Sequence, residues 1–206
     1  MGGECKQVLV RWALGFVFLA VSAAAYAGAQ IYEPLAASVQ AALSKAVSDH
    51  APPTSAFNSK LDEVNWLSAM SRRLDTRIAD HKTRIAFLKS VHYEASRAGL
   101  DPQLVLGLIQ VESGFKKYAV SRAGARGFMQ VMPFWVKLIG AKGDDLFDMR
   151  KNIRYGCTIL RHYLDLEKGD LYRALGRYNG SLGQPKYPRA VEAAWKHRWN
   201  YDGRLS

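Results

Sequence analysis

The sequence predicts a mostly α fold, on three observations. Apolar residues recur at intervals of three and four through most of the chain. No stretch of any length alternates apolar with polar residues, as a half-buried strand would. The segments that interrupt the periodicity carry Gly, Pro and Asp where helices start and stop. The chain has 206 residues, 49% of them hydrophobic, with five tryptophans, enough for a packed core without a disulfide or metal staple.

The elements follow in order. "MGGECKQVLVR" places Lys6 and Arg11 ahead of an uncharged run from Trp12 to Ala27 that ends in Ala25-Tyr26-Ala27. A positive start, an apolar centre and a small-x-small end read as a secretory signal over residues 1–27, cut after Ala27, or as an uncleaved anchor. The run is short of the roughly 20 residues that span a bilayer. Either way the remainder is expected outside the cytoplasm, in the periplasm or cell envelope, with membrane contact only through an uncleaved leader. Residues 28–50 are expected to be helical, since Ile31, Leu35, Val39, Leu43 and Val47 form one stripe. Pro52-Pro53 ends it and marks a linker near 51–55. A second helical region runs from Leu61 to Arg97, and its Arg and Lys residues read as a solvated face or an envelope-binding strip. Gly99 suits a helix end, Asp101 an N-cap and Pro102 a first helical position, so a helix is expected over 102–113. A glycine-containing loop leads to further helices over 134–139, 152–167, 171–178 and 188–199.

Charge and cysteine content narrow the function. A net charge of +11 suggests an anionic partner. No nucleic-acid-binding motif accompanies it, and an exported chain is a poor candidate for one, so no nucleic acid is expected. Cys5 lies in the leader, which leaves Cys157 alone on a stripe with Ile153, Leu160 and Leu164, a small buried hydrophobe. His50, His81, His92, His162 and His197 are scattered, no Cys/His set has zinc spacing, and neither metal nor cofactor is expected.

One residue breaks the apolar logic. Leu104, Leu108 and Glu112 are spaced by four on the helix from Pro102, sharing a face with Val105 and Ile109. Glu112 therefore stands where a leucine belongs. Burial disfavours its charged form, and so does the negative end of the helix dipole. Both effects keep a carboxyl protonated near neutral pH, as a general acid requires; a buried glutamate paired with Arg or Lys is the structural alternative. From Ser113 to Gly143 there is no Asp or Glu, and neutral polar, soft apolar and glycine residues there suit a cleft for a neutral ring such as a sugar.

"IQVESGFKKYAVSRAGARGFMQVMP" resembles the core motif of the soluble lytic transglycosylase (SLT) family, relatives of goose-type lysozyme. The matching residues are Glu112-Ser113, Ala119-Val120-Ser121, Gly127-Phe128-Met129-Gln130, Met132-Pro133, then Asn152-Ile153, Gly156 and Tyr178-Asn179-Gly180. Phe128 stands for the usual leucine, and the alanine after Asn179 is missing. The resemblance runs from about Arg84 to Trp199. It implies a lysozyme-like α domain, expected over 81–203; the helical segment over 28–80 lies outside the resemblance. It implies cleavage of the β-1,4 bond between N-acetylmuramic acid and N-acetylglucosamine in peptidoglycan, with Glu112 as acid and then base. It places Met129, Gln130, Ser121, Tyr178 and Asn179 around the substrate, with Tyr178 positioning Glu112; Asn179 alternatively shapes the turn. Ser113 either contacts substrate or holds the helix end. Two readings stand beside this: a muramidase that uses water, with Asp144, Asp145 or Asp148 as base, and a wall-binding accessory protein of a secretion or pilus apparatus, with an envelope assembly partner.

Overall fold

Aspartate and serine caps divide the chain into helices. The computed structural model describes residues 30–48, 57 and 59–203; the expected leader over 1–27 and the expected linker at Pro52-Pro53 fall outside the described residues. The helices are α1 (Ala37–Ser48), α2 (Lys60–Leu74), α3 (His81–Arg97), α4 (Pro102–Ser113), α5 (Pro133–Ile139), α6 (Met149–Leu166), α7 (Leu171–Asn179) and α8 (Lys186–Ala193). A π-helical turn, Ala194–Trp199, extends α8. Ser59, Asp80, Asp101, Asp148 and Asp170 each accept a backbone N–H at the start of α2, α3, α4, α6 and α7. Such caps satisfy donors that have no partner within the helix, and the aspartates add favourable charge at the positive end of the dipole.

The mostly α class holds: among the described residues there is no strand, only two isolated bridges, Val120 with Arg126 and Arg126 with Val131. α6 and α8 start earlier than expected, at Met149 and Lys186, and two boundaries differ more widely. The first helix begins at Ala37, not near 28; residues 30–36 are non-helical, and Ile31 is 60% exposed. Pro34 accounts for this, because it cannot donate in a helix interior and disfavours helical geometry at Glu33. The region from Leu61 to Arg97 is broken between Leu74 and His81, where Asp80 starts a new helix by accepting from Thr83 N–H at 2.7 Å.

The core gathers around α4. Leu104, Val105, Leu106, Leu108 and Ile109 are all buried, the last four completely. Each aliphatic side chain so buried contributes about 1.5–3 kcal/mol. Gly107 lets the α8 extension lie directly on α4, since a Cβ there would come within 2.9 Å of the Trp195 nitrogen. Trp195 and Trp199 donate their indole N–H groups to Asp101 and Gln110 at the two ends of α4. A buried ion pair ties α3 to α6: Arg154 donates to Glu94 at 2.9 Å, and Arg97 and Arg150 reach the same carboxylate. Ahead of this assembly, α1 packs on α5 and α6 through Leu43 and Val47, and Gln40 donates to the Leu138 carbonyl at 2.7 Å.

Candidate active site

Glu112 occupies the last turn of α4 and is 3% exposed. Gly114 and Phe115 both take left-handed backbone angles, with φ of 57° and 69°. They turn the chain off the helix at once, so the carboxyl is not carried out to solvent. The Tyr187 hydroxyl, from the first turn of α8, donates to Glu112 Oε1 at 2.5 Å. Glu112 Oε2 is buried and has no partner. Burial pushes this carboxyl up to about 8, and the Tyr187 hydrogen bond opposes part of that rise. A group held there is largely protonated at neutral pH yet able to give its proton away.

The loop between α4 and α5, residues 114–132, packs against the end of α4 that carries Glu112. The Asn152 side chain, from α6, organises it: Oδ1 accepts from Met129 N–H at 2.8 Å, while Nδ2 donates to the carbonyls of Arg126 (2.8 Å) and Leu146 (2.9 Å). Gly127 has φ +75°, and a Cβ there would sit 2.4 Å from Asn152 Nδ2 and 2.5 Å from the Leu146 oxygen. The position therefore requires glycine on both counts. Met129 is fully buried against Gly156, where a Cβ would meet its sulfur at 2.4 Å. The Met129 carbonyl accepts from the Tyr178 hydroxyl at 2.8 Å.

Each residue singled out from sequence has a place in this frame. The Ser113 hydroxyl donates to the Phe128 carbonyl at 2.7 Å, with the Ile109 carbonyl at 3.2 Å as second acceptor, and so joins the end of α4 to the loop. Ser121 accepts from Ala125 N–H at 3.0 Å within a tight turn of the loop. Gln130, at φ 49°, is buried and its amide donates to the carbonyls of Gly127 (2.9 Å) and Ala119 (3.2 Å), bracing the loop from inside. Tyr178 is buried close to Glu112, but its hydroxyl serves Met129. Asn179 is buried at the end of α7, where Gly180 in left-handed geometry stops the helix. The side chain hydrogen-bonded to Glu112 is Tyr187, which lies just ahead of the helix expected over 188–199. Its signal was the spacing of four to Val191, the apolar step of a helix that begins at Lys186.

The aspartates considered as water-activating bases are engaged elsewhere. Asp144 accepts from Lys151, Tyr155 and Ala141 N–H. Asp145 accepts from Phe147 N–H, and Asp148 caps α6. Among the described residues, no cluster of three or more His, Cys, Asp or Glu side chains has a metal-binding arrangement. Cys157 is buried, and its thiol is pushed up by that burial. No helix among the described residues is long and apolar enough to cross a membrane.

Comparison with known proteins agrees with the motif reading. The chain is 37% identical over 93 residues to a transglycosylase of Enterobacteria phage PRD1, covering 45% of this chain and 34% of that protein. It is 40% identical over 83 residues to membrane-bound lytic murein transglycosylase C of Mannheimia succiniciproducens, covering 36% of this chain and 23% of that protein. The chain thus spans about a third or less of the length of these curated relatives. The solved lytic transglycosylase Slt of Pseudomonas aeruginosa aligns at 23% identity with a TM-score of 0.43, covering 63% of this chain and 22% of that one. A family model, described as Transglycosylase SLT domain, matches residues 89–198, more than half of the chain and all of the site described above, and the chain belongs to that family.

Proposed function

We propose that this chain is a peptidoglycan lytic transglycosylase, a carbon–oxygen lyase that cuts the β-1,4 bond between N-acetylmuramic acid and N-acetylglucosamine. The observation that carries this reading is the lone buried carboxyl of Glu112, raised to about 8, with one oxygen held by Tyr187 and the other unpartnered. Glu112 protonates the glycosidic oxygen as the bond to the muramoyl anomeric carbon breaks. The substrate's own acetamido group stabilises the positive charge that develops on that carbon. Glu112, now a carboxylate, takes the proton from the muramoyl 6-hydroxyl, and that oxygen bonds to the anomeric carbon. The product ends in a 1,6-anhydro ring, no water is consumed, and Glu112 is protonated again. Tyr187 acts in both halves: its hydrogen bond orients the acid and stabilises the carboxylate that forms. No carboxylate raises the pKa of Glu112, and burial is what raises it, which favours one group in two roles over a pair sharing the work. Ser113, Asn152 and Gln130 hold the loop in register, and Met129, Ser121, Tyr178 and Asn179 shape the sugar-facing side.

The same reading places the protein in the envelope, exported by its leader, with glycan strands as partner. The basic surface suits a polymer whose peptide stems carry carboxylates. Residues 81–203 would be the catalytic domain, with the preceding helices packed against it. The test is mass spectrometry of the products released from purified wall sacculi, with Glu112→Gln as control. Anhydromuramoyl ends that vanish in the control support the proposal. Reducing ends, one water heavier, identify a hydrolase, and no product from either protein favours a wall-binding accessory role.

A further inference from the structure

The segment before α1 lies against the loop of the site. Gln30 is 3% exposed, although it stands seven residues ahead of the first helix. Its Oε1 accepts from the backbone N–H of Met132, and its side chain lies beside the Tyr178 hydroxyl. Met132 belongs to the loop between α4 and α5, and Tyr178 is the buried phenol close to Glu112. Gln30 thus bridges the loop and the phenol that lies close to Glu112. Two further contacts hold the segment: Tyr32 packs edge-on to Phe134 at 5.7 Å, and Glu33 pairs with Arg177 at 3.2 Å.

We infer that residues 30–36 form an internal plug, whose Gln30 carboxamide occupies space that the glycan must take before Glu112 can act. This rests on the proposed function above. Three observations support it. First, the interior is under-satisfied as it stands: Glu112 Oε2 is buried without a partner, and Gln30 Nε2 has only the Tyr178 hydroxyl beside it. A buried polar group without a hydrogen bond is costly, and a sugar with hydroxyl and acetamido groups would relieve that cost on entry. Second, the segment is lightly held. Ile31 and Tyr32 are 60% and 57% exposed, and the Glu33 pair lies at the surface, where such pairs are weak. Third, a hinge and an anchor are in place. Pro34 separates the segment from α1, and α1 is fixed by Leu43, Val47 and the Gln40 bond to Leu138. The plug can therefore swing out without unfolding the helix behind it.

The test measures binding and opening separately from cleavage. In the Glu112→Gln background, which holds glycan without turnover, calorimetry gives the affinity for the tetrasaccharide of β-1,4-linked N-acetylglucosamine. Adding Gln30→Ala and Glu33→Ala removes the two polar attachments and is expected to tighten binding about three- to tenfold, because a larger fraction of molecules is then competent to bind. Unchanged or weaker binding overturns the inference. In the unaltered chain, amide hydrogen exchange at residues 31–33 is expected to speed up when the tetrasaccharide saturates the site; unchanged or slower exchange overturns it too. A chain that never cleaves wall glycan, yet binds tighter on release of the segment, refutes the proposed activity and leaves the plug standing. A chain that cleaves glycan with affinity indifferent to the segment refutes the plug alone.

Discussion

Replacing Glu112 by Gln should stabilise the fold, and increasingly so as pH rises. The folded carboxyl titrates at about 8 against an ordinary value of 4.5, and burial is the main cause. The sign follows from counting protons. Between these two values the unfolded chain has lost the Glu112 proton while the folded chain retains it. The folded state therefore binds more protons, and stability falls as pH rises through this window. Below pH 4 both states are protonated and the penalty vanishes; above about pH 9 it is complete. One pKa unit corresponds to about 1.4 kcal/mol, so the accumulated penalty at pH 8 is on the order of 4 kcal/mol. Gln has nearly the same shape, carries no charge and can still meet the Tyr187 hydroxyl, so it escapes the penalty.

The assay is urea unfolding of the unaltered and Glu112→Gln proteins at pH 5 and pH 8. Every other titrating group is shared, so its contribution cancels in the difference between the two proteins. That difference should be below about 1 kcal/mol at pH 5 and should grow by on the order of 3 kcal/mol at pH 8. In thermal melts this corresponds to a gain of about 2–4 °C per kcal/mol for a chain of this size. The slopes against urea should match, showing that the denatured states are alike. A difference independent of pH would refute the reasoning: Glu112 would then titrate normally, and burial would not be what loads the acid.

Three other expectations follow from the same geometry. Tyr187→Phe removes the one hydrogen bond that favours the Glu112 carboxylate, so the alkaline limb of kcat/KM for wall glycan should move up by about one pH unit while the plateau falls, a hydrogen bond to a charged group being worth about 1.5–3 kcal/mol. Gly127→Ala would drive a Cβ into Asn152 and the Leu146 carbonyl at a left-handed position; stability in urea should drop by about 3 kcal/mol, with activity lost beyond what unfolding explains. Arg154→Met leaves Glu94 buried with only the more peripheral Arg97 and Arg150, and should cost about 3 kcal/mol in the same assay without moving the pH profile of cleavage.

The parts of the structure that could be read from sequence are those set by local chemistry. Asp101 and Pro102 marked the start of α4, and the spacing of Leu104, Leu108 and Glu112 placed an acid on a buried face. Both follow from neighbours within a few residues. What escaped was set by contacts distant in the chain. Tyr187 reaches Glu112 across 75 residues, and no local pattern reports such a pairing. Asn152 appeared as part of a motif, but its role as the peg of the Met129 loop depends on three backbone groups brought to it by folding. The start of α1 departs from the periodicity because the stripe of five apolar residues runs across Pro34, and the proline stops the helix whatever the pattern around it.

The burial that makes Glu112 useful also sets the conditions for its use. The leucine face of α4 builds the core and, by excluding water, holds the carboxyl near 8. An open cleft of the kind a polymer needs would admit water, lower that value and unload the acid at neutral pH. The structure meets this conflict by keeping the carboxyl 3% exposed, with Tyr178 and the Met129 loop around it and Gln30 bridging them. Glycan must then both displace the covering groups and replace them as the barrier to water. The acid is thus best loaded while the site is covered, and it regains a dry environment once sugar fills the space. Catalysis without a water molecule, as proposed here, is the outcome such an arrangement favours. The alkaline limb of kcat, measured with saturating glycan, should accordingly lie no lower than that of kcat/KM, and a limb shifted toward 4.5 in the complex would mean that water enters with the substrate.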